Sequence, residues 1–358
     1  MQKIFLSLAL GIFCLAQEKI IIAHRGASGY LPEHTLEAKT LAYAMNASYI
    51  EQDLAMSKDD YLIVIHDLYL DKVSDVAQKF PNRARKDGHY YVIDFTLEEL
   101  RSLRMSEAFN AKEKERIPIY PKRFPVGKSY FTLHTLEEEI ELIAGLNQIF
   151  GKDIGLYVEI KKPWFHTQEG KDIAKKTLEV LKSYGYTTKD SKVYLQSFDY
   201  PNLLYIKKEL FPKMNMDLKL IALVDEHPSK ETYEFIKGKW RAYDFSYFLR
   251  DENYPEIAKN VDGLGIWNDL IFDIKKSKKG SIVPNNIVKN AHLYGLEVHT
   301  YTGRSDALPS YASSFDELLE AVLFKAGADG IFTDFPDTAL RFLQERRISK
   351  QEMYGSEN

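Results

Sequence analysis

Eight short, nearly continuously apolar runs containing β-branched residues recur along this chain, and no other feature narrows its fold as much. They occupy 19–23, 47–51, 153–160, 192–196, 218–224, 261–266, 296–301 and 328–333, bounded by Gly, Asp or Asn. A strand with one solvated face alternates polar and apolar residues, so short continuous runs mark parallel strands covered on both faces. Between most of them lie stretches with helical spacing, at 36–45, 170–184, 201–211 and 315–326. Eight strand–helix units predict an α/β chain closed into a TIM (β/α)8 barrel. An open doubly wound sheet is the alternative, and the strand count disfavours it.

Two stretches interrupt the scheme. Residues 61–65 follow the turn Ser57-Lys58-Asp59-Asp60 and read as a strand doubling back beside the second run. From about 73 to 129 the pattern gives way to charges, prolines and aromatics, with one short helix near 97–103. That is too long for an ordinary βα loop and predicts an inserted subdomain near the barrel mouth.

Composition sets the outer bounds. With 358 residues, 45% hydrophobic and 28% charged, the chain has material for a core and is neither disordered, collagen-like nor a coiled coil. A net charge of −4 gives no broad basic footprint, so no nucleic-acid partner is expected. At the N-terminus, Lys3, the apolar stretch 4–15 and Cys14-Leu15-Ala16 read as a signal peptide over 1–16. The mature chain would then be 17–358, periplasmic and without a transmembrane segment, because the apolar stretch is too short to span a bilayer. A lipid anchor on Cys14 is the alternative. A homodimer is compatible with the sequence.

The chemistry lies where polar residues break the apolar runs at their C-terminal ends. These breaks are His24-Arg25, Glu51 and Asp53, His66-Asp67, Glu159 and Lys161, Gln196-Ser197-Phe198, His299 to Tyr301, and Thr333-Asp334. In a (β/α)8 barrel such ends converge on one site. Glu51 and Asp53 stand two apart on a strand and share a face, as do Glu159 and Lys161. Like charges about 4 Å apart repel by about 4 kcal/mol at an effective dielectric near 20. A hard divalent cation bound by oxygens, Ca²⁺ or Mg²⁺, removes that penalty. Ion pairing with Arg25 and Lys161 alone is the metal-free alternative. His24 and His66 are the natural proton-transfer groups. Arg25 and Lys161 offer donors to phosphate oxygens, and the set as a whole describes a phosphodiester site.

The segment His24-Arg25-Gly26-Ala27-Ser28-Gly29-Tyr30-Leu31-Pro32-Glu33-His34-Thr35 resembles the glycerophosphodiester phosphodiesterase family, specifically its exported bacterial branch. The likeness continues through Glu51-Gln52-Asp53-Leu54, His66-Asp67, Val158-Glu159-Ile160-Lys161, Gln196-Ser197-Phe198, Val298 to Thr302 and Thr333 to Asp337. It implies hydrolysis of deacylated phospholipids, such as glycerophosphocholine, to sn-glycerol 3-phosphate and an alcohol. It further implies one cation on Glu51, Asp53 and Glu159 (usually Ca²⁺ in this branch, Mg²⁺ elsewhere), His24 and His66 as the acid–base pair, and Arg25 and Lys161 on the phosphate. In the implied mechanism the neighbouring glycerol hydroxyl attacks phosphorus, and water opens the resulting cyclic phosphate.

Gln196, Phe198 and Tyr301 are expected as further substrate contacts, with Trp267 as another aromatic wall. His34 replaces the family's commonest Asn and is expected beside the metal carboxylates, Thr35 as a helix N-cap, and Arg304 as a solvated loop side chain, with substrate contact as the alternative. Two other functions compete. A phospholipase D-like enzyme acting on lysolipids or sphingomyelin would need an apolar rim, whereas 73–129 is charged. A non-catalytic exported surface-binding protein could have lost the five metal and histidine positions, and all are kept.

Overall fold

The computed structural model describes residues 18–112, 115–226 and 229–355. The expected signal segment, Cys14 included, lies outside them. Each of the eight runs forms a strand: β1 Ile20–Ala23, β2 Tyr49–Met56, β3 Gly155–Ile160, β4 Val193–Ser197, β5 Lys219–Val224, β6 Gly263–Trp267, β7 Glu297–Gly303 and β8 Gly330–Thr333. Each pairs in parallel with its successor, and β8 pairs with β1, so the sheet closes into the expected barrel. Every residue of β2 and β3 is buried, so the apolar positions of such strands pack on both faces and their few polar ones are buried too.

The barrel interior is filled rather than hollow. Ile22, Tyr49, Tyr157, Tyr194, Ile221 and Phe332 form one inward cluster, with Tyr157 and Tyr194 stacked at 4.9 Å. A glycine makes room for one of these rings: a Cβ on Gly155 would lie 2.4 Å from the Tyr49 ring. Outside, helices bury their apolar faces against the strands in a larger core. The helix Leu36–Ala44 starts as expected at Thr35, whose Oγ1 accepts from the Ala38 amide at 3.2 Å.

Between β2 and β3 the chain makes a long excursion. The strand Leu62–Val64 doubles back antiparallel on β2, with Leu54 opposite Val64. After it, Leu70, Val76, Phe95, Leu100 and Leu103 anchor a second apolar cluster. The helix expected near 97–103 is Leu97–Arg101, opened by a reciprocal cap between Thr96 and Glu99. A hairpin of Phe109–Lys112 with Glu115–Pro118 follows, where the sequence pattern showed no element. The helix Leu136–Phe150 then returns the chain to the barrel. A second hairpin, Tyr233–Ile236 with Lys239–Ala242, stands after β5 and was likewise not anticipated. The helical stretches at 201–211 and 315–326 both widen into π-helical turns, at Ile206–Leu210 and Ala321–Ala326.

Candidate active site

The residues expected to hold the metal, move protons and contact phosphate or substrate line one pocket of about 260 Å³ at the C-terminal ends of the barrel strands, whereas His299 lies inside the barrel, bonded to Tyr157. The barrel register explains their convergence. Asp53 on β2 sits level with Glu159 on β3, which sits level with Gln196 on β4. Glu51 lies one inward position below Asp53, and the chain turns out of β1 through His24 and Arg25. Gly26 makes that turn at φ +90°, where a Cβ would meet the Ala38 carbonyl carbon at 2.9 Å.

Glu51, Asp53 and Glu159 are buried and present oxygens that all lie within 4.8 Å of one another. The protein only partly satisfies them. Glu51 accepts from the Arg25 amide at 2.8 Å and from the Gln196 side chain at 3.2 Å. Lys161 Nζ lies 2.7 Å from Glu159 Oε1, so part of the metal-free ion-pairing alternative is realised. Arg25 Nη1 instead pairs with Glu33 at 2.8 Å, with its Nε 4.0 Å from Asp53. Asp53 Oδ1 is buried with no hydrogen-bond partner among the described residues.

The electrostatics agree with that shortfall. Burial, with Asp53 and Glu159 adjacent, pushes the Glu51 carboxyl well above its usual range despite Arg25. Burial also pushes Glu159 up to about 8 against the pull of Lys161, with Asp53 adding to the rise. Burial would raise Asp53 too, but His34 and Lys161 outweigh it and hold that carboxyl well below its usual range. His34 is fully buried and contacts Asp53 Oδ2 through Nε2 at 2.8 Å, beside the carboxylates as expected. An orphaned oxygen inside a ring of three acids, two of them resisting ionisation, fits a bound divalent cation.

The two imidazoles are held differently. His24 Nδ1 lies 2.6 Å from Asp334 Oδ1, and its Nε2 faces the carboxylates, 3.9 Å from Glu51. Burial opposes ionisation of Asp334, but Arg304, His24 and Arg123 hold it far below the ordinary range. An ionised carboxylate only accepts, so Nδ1 carries the proton and Nε2 is free to act in the pocket. Burial, aided by Arg25 and opposed by Asp334, pushes His24 down to about 3. His66, more exposed, donates from Nδ1 to Asp67 at 2.7 Å.

The aromatic side is built by Phe198, Tyr301 and Trp267. Tyr301 is fixed by its hydroxyl donating to the Val224 carbonyl at 2.8 Å, and it meets Phe198 edge-on at 5.9 Å. One expectation is overturned. Arg304 is not a solvated loop side chain; it lines the pocket and donates to Asp334 at 2.8 Å. The reading by strand ends also passed over Asp225 in the pocket wall and Arg123, which comes from the excursion. Asp334 had a visible signal, since it interrupts the eighth run; Arg123 had none.

Several solved phosphodiesterases share this architecture. An Oleispira antarctica phosphodiesterase, solved in complex with the product sn-glycerol-3-phosphate, superposes with a TM-score of 0.58 at 23% identity, covering 91% of this chain and 96% of that one. A glycerophosphodiester phosphodiesterase from Thermotoga maritima gives a TM-score of 0.54 at 18% identity, covering 90% and 98%. At these identities the likeness is one of fold. Sequence carries it further. The glycerophosphoryl diester phosphodiesterase family model matches residues 24–338, and the chain belongs to that family. It is 52% identical over 331 residues to a glycerophosphodiester phosphodiesterase of Haemophilus influenzae, covering 92% of this chain and 91% of the relative. It is 46% identical to one of Treponema pallidum, covering 92% of each.

Proposed function

We propose that this protein hydrolyses glycerophosphodiesters such as glycerophosphocholine to sn-glycerol 3-phosphate and an alcohol, with His24 and His66 moving protons beside one oxygen-bound divalent cation. The observation that carries this reading is the meeting of Glu51, Asp53 and Glu159 with both imidazoles in one pocket. Glu51, Asp53 and Glu159 would hold the cation, Ca²⁺ in the first instance and Mg²⁺ as the alternative. When bound, it supplies positive charge to a phosphoryl oxygen.

Arg25 and Lys161 flank the carboxylates and bind the remaining phosphate oxygens, which orients the diester for in-line attack. Gln196 holds Glu51, while Phe198 and Tyr301 form an apolar wall that shields the organic part of the substrate from water. The glycerol hydroxyl next to the ester gives its proton to one imidazole as its oxygen bonds to phosphorus. The bond from phosphorus to the alcohol oxygen breaks, and that oxygen takes a proton from the other imidazole. Water then adds to phosphorus and opens the cyclic phosphate, while the proton movements reverse and both imidazoles return to their starting states.

The test is release of sn-glycerol 3-phosphate from several head groups, with EDTA and with Ca²⁺ or Mg²⁺ restored. Turnover lost on chelation, regained with the ion and abolished in His66→Ala is expected. Turnover indifferent to chelator, or near wild-type in His66→Ala, overturns the reading. The periplasmic setting rests on the sequence of 1–16. Among the described residues no helix is long and apolar enough to cross a membrane.

A further inference from the structure

We infer that Arg123, carried by the excursion between β2 and β3, is a positioning residue for His24 and acts through Asp334. The inference rests on the catalytic reading of His24 given above.

Asp334 divides its two oxygens between two tasks. Oδ1 faces His24 Nδ1 at 2.6 Å, whereas Oδ2 takes Arg123 Nη2 at 2.7 Å and Arg304 Nε at 2.8 Å. A carboxylate bonded only to an imidazole could swivel about its terminal torsion and carry the ring with it. Two guanidinium donors on the far oxygen fix the plane of the carboxylate and so the plane of the imidazole. Arg123 is the better anchored of the two, with a side chain only 4% exposed against 27% for Arg304. Its Nε and Nη2 grip Asp306 at 2.8 and 3.0 Å, Nη1 reaches the Ser28 carbonyl at 3.4 Å, and its guanidinium stacks 3.6 Å from the Tyr120 ring centre. Ser28 Oγ donates in turn to the His24 carbonyl at 2.8 Å. One guanidinium therefore ties the loop after β1, the loop after β7 and the end of β8 around His24. It does so from a segment 211 positions away from Asp334 in sequence.

The arrangement needs the forked geometry of arginine. Lysine, a single ammonium point, cannot hold Asp334, Asp306 and the Ser28 carbonyl at once.

The test uses the full chain with saturating divalent ion. It compares Arg123→Met, Arg123→Lys, Asp334→Asn, Asp306→Asn and His24→Ala by glycerophosphocholine turnover, thermal melting and ¹⁵N NMR of the His24 ring. Arg123→Met is expected to lower kcat by about 10- to 100-fold, the range seen where a partner that orients a metal-ligating histidine is removed. KM should change little. Arg123→Lys should recover only part of the rate. The His24 ring nitrogens should shift from a single Nδ1–H tautomer toward a mixture. In the Asp334→Asn background, Arg123→Met should cost little more, because both act on the same ring.

Wild-type kcat in a folded Arg123→Met protein overturns the inference, as do losses that multiply in the double variant. If Arg123→Met does not fold, Asp306→Asn decides. It should show a weaker loss in kcat with the same tautomer shift, and an unchanged kcat counts against the idea. Retained turnover in His24→Ala would sink the catalytic reading itself, a different result from a dead His24→Ala beside an unaffected Arg123→Met.

Discussion

Buried carboxylates lie on both sides of β2, one on the outer face and three on the inner, and have opposite electrostatic fates. On the outer face, Gln52 meets Glu139 at 2.9 Å, which also accepts from His134 at 2.7 Å and pairs with Lys39 at 3.1 Å. Lys39 additionally donates to the Glu51 carbonyl. Burial alone would raise Glu139, but Lys39 foremost, then His134 and Gln52, brings it down to about 2. On the inner face Glu51 and Glu159 are pushed up and Asp53 keeps an orphaned oxygen. One strand, with its side chains alternating between faces, thus stands between a carboxylate whose charge the protein balances and a group of three whose charges it balances only in part. The difference teaches that burial by itself does not mark a working site. What sets the inner face apart is three buried carboxylates together without sufficient countercharge.

The comparison breaks first at Glu51. Glu51→Gln should cut turnover by about 10³-fold or more, since a bound cation supplies several kcal/mol of charge stabilisation and 1.36 kcal/mol is a factor of ten. In EDTA the same variant should melt no lower than wild type, because it relieves repulsion. A clear fall in melting temperature there would show that the inner cluster is also structural.

Lys39→Met should do the reverse. It strands Glu139 without its cation and should cost about 3–5 kcal/mol of stability, the usual penalty for breaking a buried pair. Denaturant melts read that loss, and a cost under about 1 kcal/mol would remove the contrast between the faces.

The smallest effect is in pH, and its sign differs between the clusters. Both glutamates have a reference value of 4.5. Glu139 at about 2 contributes stability that is present above 4.5 and disappears as pH falls toward 2. Glu159 at about 8 works the other way: the ion-free protein should lose stability as pH rises from 4.5 toward 8. Added cation should flatten only the second slope, and thermal melts across pH with and without Ca²⁺ would show whether it does.

Much of this was legible from sequence because the signals are local. Eight parallel strands announce themselves as apolar runs, and Glu51, Asp53, Glu159, His24 and His66 are polar residues at the ends of such runs or of the hairpin strand. What escaped notice depends on contacts distant in the chain. Arg123 meets Asp334 and Asp306 across 211 and 183 positions, and no periodicity encodes such a meeting. The anchoring of Arg304 is hidden for the same reason: its partner is 30 residues away, at the end of the next barrel strand. The hairpin of Tyr233–Ile236 with Lys239–Ala242 has a largely exposed second strand, so it lacks the apolar signature of the barrel strands.

The packed interior has a consequence for traffic. Phe332 forms part of the pocket's base, and Tyr157 packs edge-on beneath it at 4.8 Å, with the Tyr157 hydroxyl bonded to His299 at 2.7 Å. Among the described residues the barrel below the pocket is therefore filled by side chains, and diester, alcohol and glycerol phosphate pass through its mouth.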